Sequence, residues 1–187
     1  MAVTTLDEKT ALVVIDMQKG ITSLPTAQPM EEVKANVAKL TKAFRSHDKP
    51  VVLVNVKGGA RGRTERTMTR GEMPADWADL IPELDEQPSD VKITKKTWGA
   101  FHDTSLDKDL KDLGVTQIVL CGVATSIGVE STARNASELG YNVTLATDAM
   151  TDMSEEAHNN SIKLIFPRLG ETGTTDEIIS LLDKTND

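Results

Sequence analysis

The sequence predicts an α/β fold centred on a mostly parallel, six-stranded sheet with helices on both faces. Three observations carry that prediction. Residues 11–15 (ALVVI), 51–56 (VVLVNV) and 118–121 (IVLC) are continuous apolar runs rather than alternations, as in strands buried on both faces. Between such runs lie segments with apolar residues at helical spacing. This alternation continues along the chain with no internal repeat and no linker-like change of composition, so residues 1–187 read as a single domain. With right-handed crossovers the arrangement is doubly wound and Rossmann-like. A chain of 187 residues is long enough to bury roughly 70% of its unfolded surface.

Taken in order, the first strand, 11–15, ends at Asp16, with Met17 and Gln18 following. A polar, proline-containing loop reaches Met30. Val33, Val37, Leu40 and Phe44 then place an amphipathic helix over 31–47. Pro50 closes that connection, and 51–56 is the second strand. Residues 57–90 are different: four glycines, three prolines and five basic residues, with little periodicity. A loop of that length in a compact domain is functional or mobile. A short helix is expected at 76–81, and Arg61, Arg63, Arg66 and Arg70 stand out in an acidic chain.

The third strand, 91–94, runs into Lys95, Lys96, Thr97, Trp98 and Phe101. Leu106, Leu110 and Leu113 mark a helix over 105–113, stopped by Gly114. The strand at 118–121 then breaks at Gly122 and restarts as a helix, with Val129, Ala133 and Ala136 at small-residue positions. A fifth strand covers 141–146. Ser154, with Glu155 and Glu156 behind it, is the N-cap of a helix to about residue 165. After Pro167 an extended piece at 169–172 leads to Thr174 or Thr175, the cap of a last helix through Leu182.

Composition excludes several function classes. Twenty-one Lys and Arg against 29 Asp and Glu give a net charge of −8, with no basic face for nucleic acid. No apolar stretch approaches the roughly 20 residues that span a bilayer, and the N-terminus is polar and acidic, so a cytoplasmic protein is expected. One cysteine, Cys121, makes neither an intramolecular disulfide nor a cysteine metal cluster. His47, His102 and His158 lack metal-ligand spacing, so no metal is expected. Gly122-x5-Gly128 is not a dinucleotide fingerprint, and GxxxxGK[ST] is absent, so no cofactor is expected either.

In such sheets, ligands sit outside the carboxyl ends of the strands. Asp16, Lys95 and the Gly122–Gly128 turn all lie at carboxyl ends and therefore share one edge. The helix after Gly122 presents unpaired N–H groups there, a setting for an oxyanion or carboxylate. An acid at the end of a buried strand needs a partner, and Lys95 is the natural one. The pair reads either as a structural ion pair or as an acid–base group beside that helix N-terminus.

Asp16 in VVIDMQ, Lys95 in ITKKTWGAF and the stretch GVATSIGVESTARNASELGYNVTLATDAM resemble the isochorismatase-like hydrolase superfamily over nearly the whole chain. That superfamily includes nicotinamidases, N-carbamoylsarcosine amidases, ureidoacrylate hydrolases and isochorismatases. The resemblance implies a catalytic set of Asp16, Lys95 and the residue at 128, where the thiol-dependent members carry cysteine and this chain carries Gly128. Cys121 lies seven positions too early, within the strand, and reads as a buried structural residue.

Without a thiol there, no thioester forms. The chain instead resembles isochorismatases proper, which also have glycine at that place and cleave a vinyl ether by protonation, with aspartate as general acid. Asp16 would then hold a proton near neutral pH in an apolar setting, modulated by Lys95. The resemblance further implies a cis Val123–Ala124 peptide, an anion hole from the amides of Ala124 and Gly128, a pocket lined by Gln18, Trp98 and Phe101, and a homodimer or larger homo-oligomer. Arg61 or Arg63 is the candidate for a substrate carboxylate. The Asp-x-His metal motif of nicotinamidases is absent around 55–59. The expected activity is cofactor-independent hydrolysis of a small carboxylated substrate. The alternatives are a catalytically silent small-molecule-binding protein and a thiol enzyme using Cys121.

Overall fold

Side chains of a strand alternate between the two faces of its sheet, and here both faces are apolar. In the first strand Leu12 and Val14 enter one core while Ala11, Val13 and Ile15 enter the other. The computed structural model describes residues 3–59, 62–65 and 73–184. Its strands are β1 (Thr10–Ile15), β2 (Val51–Val56), β3 (Val91–Lys95), β4 (Gln117–Val123), β5 (Asn142–Thr151) and β6 (Glu171–Gly173). They form one six-stranded sheet in the order β3-β2-β1-β4-β5-β6, with every pairing parallel.

The helices are α1 (Lys19–Thr22), α2 (Met30–Ser46), α3 (Leu106–Asp112), α4 (Glu130–Glu138), α5 (Glu155–Asn160), α6 (Phe166–Leu169) and α7 (Thr175–Lys184). Val33, Val37, Leu40 and Phe44 of α2, with Ile178 and Leu182 of α7, fill the first core. Leu106 and Leu110 of α3, Ala133 and Ala136 of α4, and Phe166 of α6 fill the second. Helices thus cover both faces, as expected. The chain winds outward from β1 in one direction and from β4 in the other, so the switch point lies between them.

Several elements depart from the sequence-based expectation for identifiable reasons. No helix forms at 76–81. The backbone there bonds along the α1 segment instead: Lys19 N–H to Asp79 O, Gly20 N–H to Trp77 O and Ile81 N–H to Met17 O. A single 3₁₀ turn follows at Pro82–Leu84.

Strand β5 runs to Thr151 rather than stopping at 146. Its register on β4 jumps from Leu120↔Leu145 to Gly122↔Met150, so pairing resumes beyond the irregularity. Asp148, in the displaced stretch, accepts from the amide (2.7 Å) and hydroxyl (2.9 Å) of Thr175 and so holds the start of α7. The helix opened by Ser154, whose hydroxyl accepts the Ala157 amide, continues through a π-helical turn at Ser161–Ile165 into α6. Pro167 sits in the first turn of α6, where its missing N–H is harmless, and so extends the helical run instead of ending it.

Gly122 has φ +114°, and a Cβ there would lie 2.1 Å from the carbonyl oxygen of Ile15 on the paired strand. Gly122→Ala is therefore expected to destabilise the protein by about 3 kcal/mol, through the strained backbone and the lost β1–β4 approach. Urea unfolding of the two proteins measures it.

Candidate active site

Asp16 follows β1 directly, and its φ of +50° lies in the left-handed region that aspartate tolerates better than most residues. Lys95 is the last residue of β3, two strands away. Both side chains are buried, and they meet across the carboxyl edge of the sheet with Lys95 Nζ 2.8 Å from Asp16 Oδ2. The other two hydrogens of the ammonium go to the carbonyl oxygens of Thr97 (3.2 Å) and Trp98 (2.8 Å). Lys95 is thus fully committed.

Asp16 is not. Its Oδ2 faces the lysine, while Oδ1 is buried without a hydrogen-bond partner. Burial pushes the Asp16 carboxyl up to about 6, and the nearby Lys95 charge and hydrogen bond only partly oppose that rise.

The turn after β4 closes the third side. The Val123–Ala124 peptide is cis. A π-helical turn at Thr125–Val129 then leads into α4, with the Ala124 carbonyl accepting the amides of Ile127 and Val129 (both 3.1 Å). A Cβ built on Gly128 would lie 3.3 Å from Asp16 Oδ2, 3.4 Å from Lys95 Nζ and 2.9 Å from a methyl of Ile15. Position 128 therefore aims straight at the acid and the amine, and glycine leaves that space without a side chain. Thr132 ties the turn to the β3–α3 connection, donating to Gly128 O (2.7 Å) and accepting from Ala100 N–H (3.1 Å).

The chain itself occupies part of the helix N-terminus that the sequence reading assigned to an anion. Buried Asp152 accepts the amide and the hydroxyl of Ser126 through Oδ2 (both 2.7 Å) and the amide of Ser154 through Oδ1 (3.2 Å). Beside it, Thr125 Oγ1 and His158 Nδ1 share a buried hydrogen bond of 2.8 Å. Burial holds the His158 imidazole below its ordinary range, against the opposing charges of Asp152 and Glu155. Neither Asp152 nor His158 was singled out from sequence, because Asp152 lies well past the expected end of the fifth strand at 146 and a lone histidine carries no spacing signal.

The structure brings Asp16, Lys95, Gly128 and Ala124 together, but it gives three of the expected pocket residues other surroundings. Gln18 is wholly buried and spends its amide on the backbone, accepting Val56 N–H (2.8 Å) and donating to Val56 O (3.2 Å) and Trp77 O (3.3 Å). These bonds tie the chain just after β1 to the end of β2. Trp98 is exposed, at 59% of its surface, and engages the site through its carbonyl. Phe101 packs its ring against Tyr141, with centroids 5.8 Å apart, and Tyr141 immediately precedes β5 at the opposite, amino edge of the sheet. Arg63 is exposed, and Arg61 lies outside the described residues.

Cys121, in the middle of the first core, has its thiol pushed far up by burial, with a smaller contribution from Asp148. Wholly buried and held in the thiol form, it lacks the exposed thiolate that a nucleophilic cysteine presents. Among the described residues, no group of three His, Cys, Asp or Glu side chains is placed to hold a metal ion.

Residues 10–177 match the model of the isochorismatase domain. The chain belongs to the isochorismatase family. Members of this family are hydrolases. The chain is 45% identical over 179 residues to the uncharacterized isochorismatase family protein YwoC of Bacillus subtilis, covering 92% of this chain and 93% of that one. It is 42% identical over 182 residues to the uncharacterized family protein YecD of Escherichia coli O157:H7, covering 92% and 96%. The structure of an isochorismatase family protein from Burkholderia thailandensis superposes with a TM-score of 0.91 at 39% identity, covering 96% of this chain and 98% of that one. Among the described residues of this family member, no helix is long and apolar enough to cross a membrane.

A thiol reagent such as Ellman's is expected to find no reactive group in the folded protein and one per chain after denaturation, the signature of a buried Cys121.

Proposed function

We propose that the protein is a cofactor-independent hydrolase of a small carboxylated substrate, cleaving a vinyl ether of the isochorismate type with Asp16 as general acid. The observation that carries this reading is the Gly128 position. A side chain at this position would lie against both Asp16 and Lys95, and glycine supplies none, so the reactive group left there is the acid itself. A carboxyl raised to about 6 keeps a useful fraction of its protons near neutral pH.

The ammonium faces Oδ2, so the proton of the neutral acid sits on Oδ1, the unpartnered oxygen. In the first step Oδ1–H protonates the methylene carbon of the vinyl ether, giving an oxocarbenium ion and the Asp16 carboxylate. Lys95, already 2.8 Å away, stabilises that new charge without rearranging. Water adds to the cation and returns a proton to Asp16. The hemiketal then collapses to pyruvate and an alcohol. One water is consumed and the acid is regenerated. In this reading the amides of Ala124 and Gly128 and the arginines at 61 and 63 are the candidates for the substrate's anionic groups.

The test is pyruvate release from isochorismate by the purified protein. Asp16→Asn, which keeps the shape but has no proton to give, is expected to lower kcat/KM by about 10²-fold or more. Binding of isochorismate with no release would replace the enzyme by a binding protein.

The pH dependence is a second check. The active form is the protonated acid, so kcat/KM is expected to be flat below about pH 6 and to fall about tenfold per unit above it. A profile that rises through that range would assign Asp16 the role of a base.

A further inference from the structure

Among the described residues, two buried side-chain polar atoms have no hydrogen-bond partner: Asp16 Oδ1 and Thr97 Oγ1. Both belong to residues that hold the ammonium of Lys95. Asp16 does so through its other oxygen, at 2.8 Å, and Thr97 through its main-chain carbonyl, at 3.2 Å. Thr97 is only half-buried as a residue, yet its hydroxyl is buried. A threonine at such a position ordinarily turns its hydroxyl to water, since a buried donor without a partner is costly.

Lys95 has no hydrogen left to offer, its three being taken by Asp16, Thr97 and Trp98. Polar recognition at this buried end of the site therefore falls to the two uncommitted atoms. From that juxtaposition we propose that Thr97 is a substrate-contacting residue, its hydroxyl donating a hydrogen bond to an oxygen of the molecule bound beside Asp16 Oδ1. The proposal deepens the acid-catalysis reading and rests on it in one respect. In that reading Asp16 Oδ1–H faces the carbon it protonates, so the Thr97 hydroxyl is the group left to donate to an oxygen lone pair (ether, carbonyl or carboxylate) of the same substrate.

Thr97→Val removes the hydroxyl at nearly constant shape, and Thr97→Ser keeps it. Steady-state pyruvate release from isochorismate is expected to show KM raised about tenfold in Thr97→Val, with kcat within about threefold of wild type and Thr97→Ser close to wild type in both. Thermal unfolding without ligand separates this role from a structural one. Thr97→Val is expected to melt at or above the wild-type temperature, because the hydroxyl it loses bonds to nothing in the fold.

Wild-type KM and kcat in Thr97→Val, or a melting point several degrees lower, overturns the proposal. If the wild-type protein releases no pyruvate at all, the reaction assigned above falls separately. Thr97 is then judged by titrating acetate, a small carboxylate with oxygen acceptors alone, against the ¹³C-labelled methyl of Thr97. A saturable shift supports the contact, and an unmoved methyl overturns it.

Discussion

Two opposite charges share a nearly dry space at the carboxyl edge of this sheet, and much of the surrounding structure serves to hold them there. Removing either ion from water is expensive, and an attraction at 2.8 Å compensates only if the remaining hydrogens and lone pairs are satisfied. On the lysine side they are, by two carbonyls that the chain delivers immediately after β3. On the acid side one oxygen is left bare, an asymmetry that the acid–base reading uses and a purely structural salt bridge would not need. The cost of an unpaired buried polar atom, about 1–3 kcal/mol, is borne by the fold at the place where the proposed reaction needs a proton donor.

The framework around the pair is rigid for reasons that do not involve a ligand. Gln18 stitches the exit of β1 to the end of β2, so the strand between the two charges cannot slide. Asp152 holds the start of the π-helical turn through Ser126, and Thr132 ties the same turn to the segment that follows Lys95. The three side chains that make these contacts, Gln18, Asp152 and Thr132, come from distant parts of the chain. They converge on backbone groups of the turn and of the strand ends, not on the reactive side chains, which keeps Asp16 Oδ1 uncommitted while its surroundings are pinned.

Most of the fold was legible because buried parallel strands announce themselves as unbroken apolar runs, and because Val33, Val37, Leu40 and Phe44 repeat at a helical period. The extension of β5 was not legible: Thr147 and Asp148 read as a loop, and only the register jump opposite Gly122 restores pairing beyond them. The 76–81 segment failed for a related reason, since its hydrogen bonds go to α1, which local sequence does not encode.

At the site, Asp16, Lys95 and Gly128 were legible from strand ends and motif order. The orientations of Trp98 and Phe101 were not, because an aromatic residue near a site can equally face solvent or a neighbouring core, and packing decides between them. The partners of Ser126 and Thr125 were hidden likewise, since an isolated aspartate and histidine acquire meaning only once α5 folds back over the turn.

The Gly128 backbone already points its missing side chain at the acid and the amine, where a Cβ would need the Ile15 methyl, at 2.9 Å, and Asp16 Oδ2, at 3.3 Å, to give way. What fills the space beside the acid and the amine is thus decided by the side chain at one position. Glycine and cysteine codons differ in a single base. On the proposed reading, the step between proton-transfer chemistry and thiol chemistry at this position is one point mutation wide.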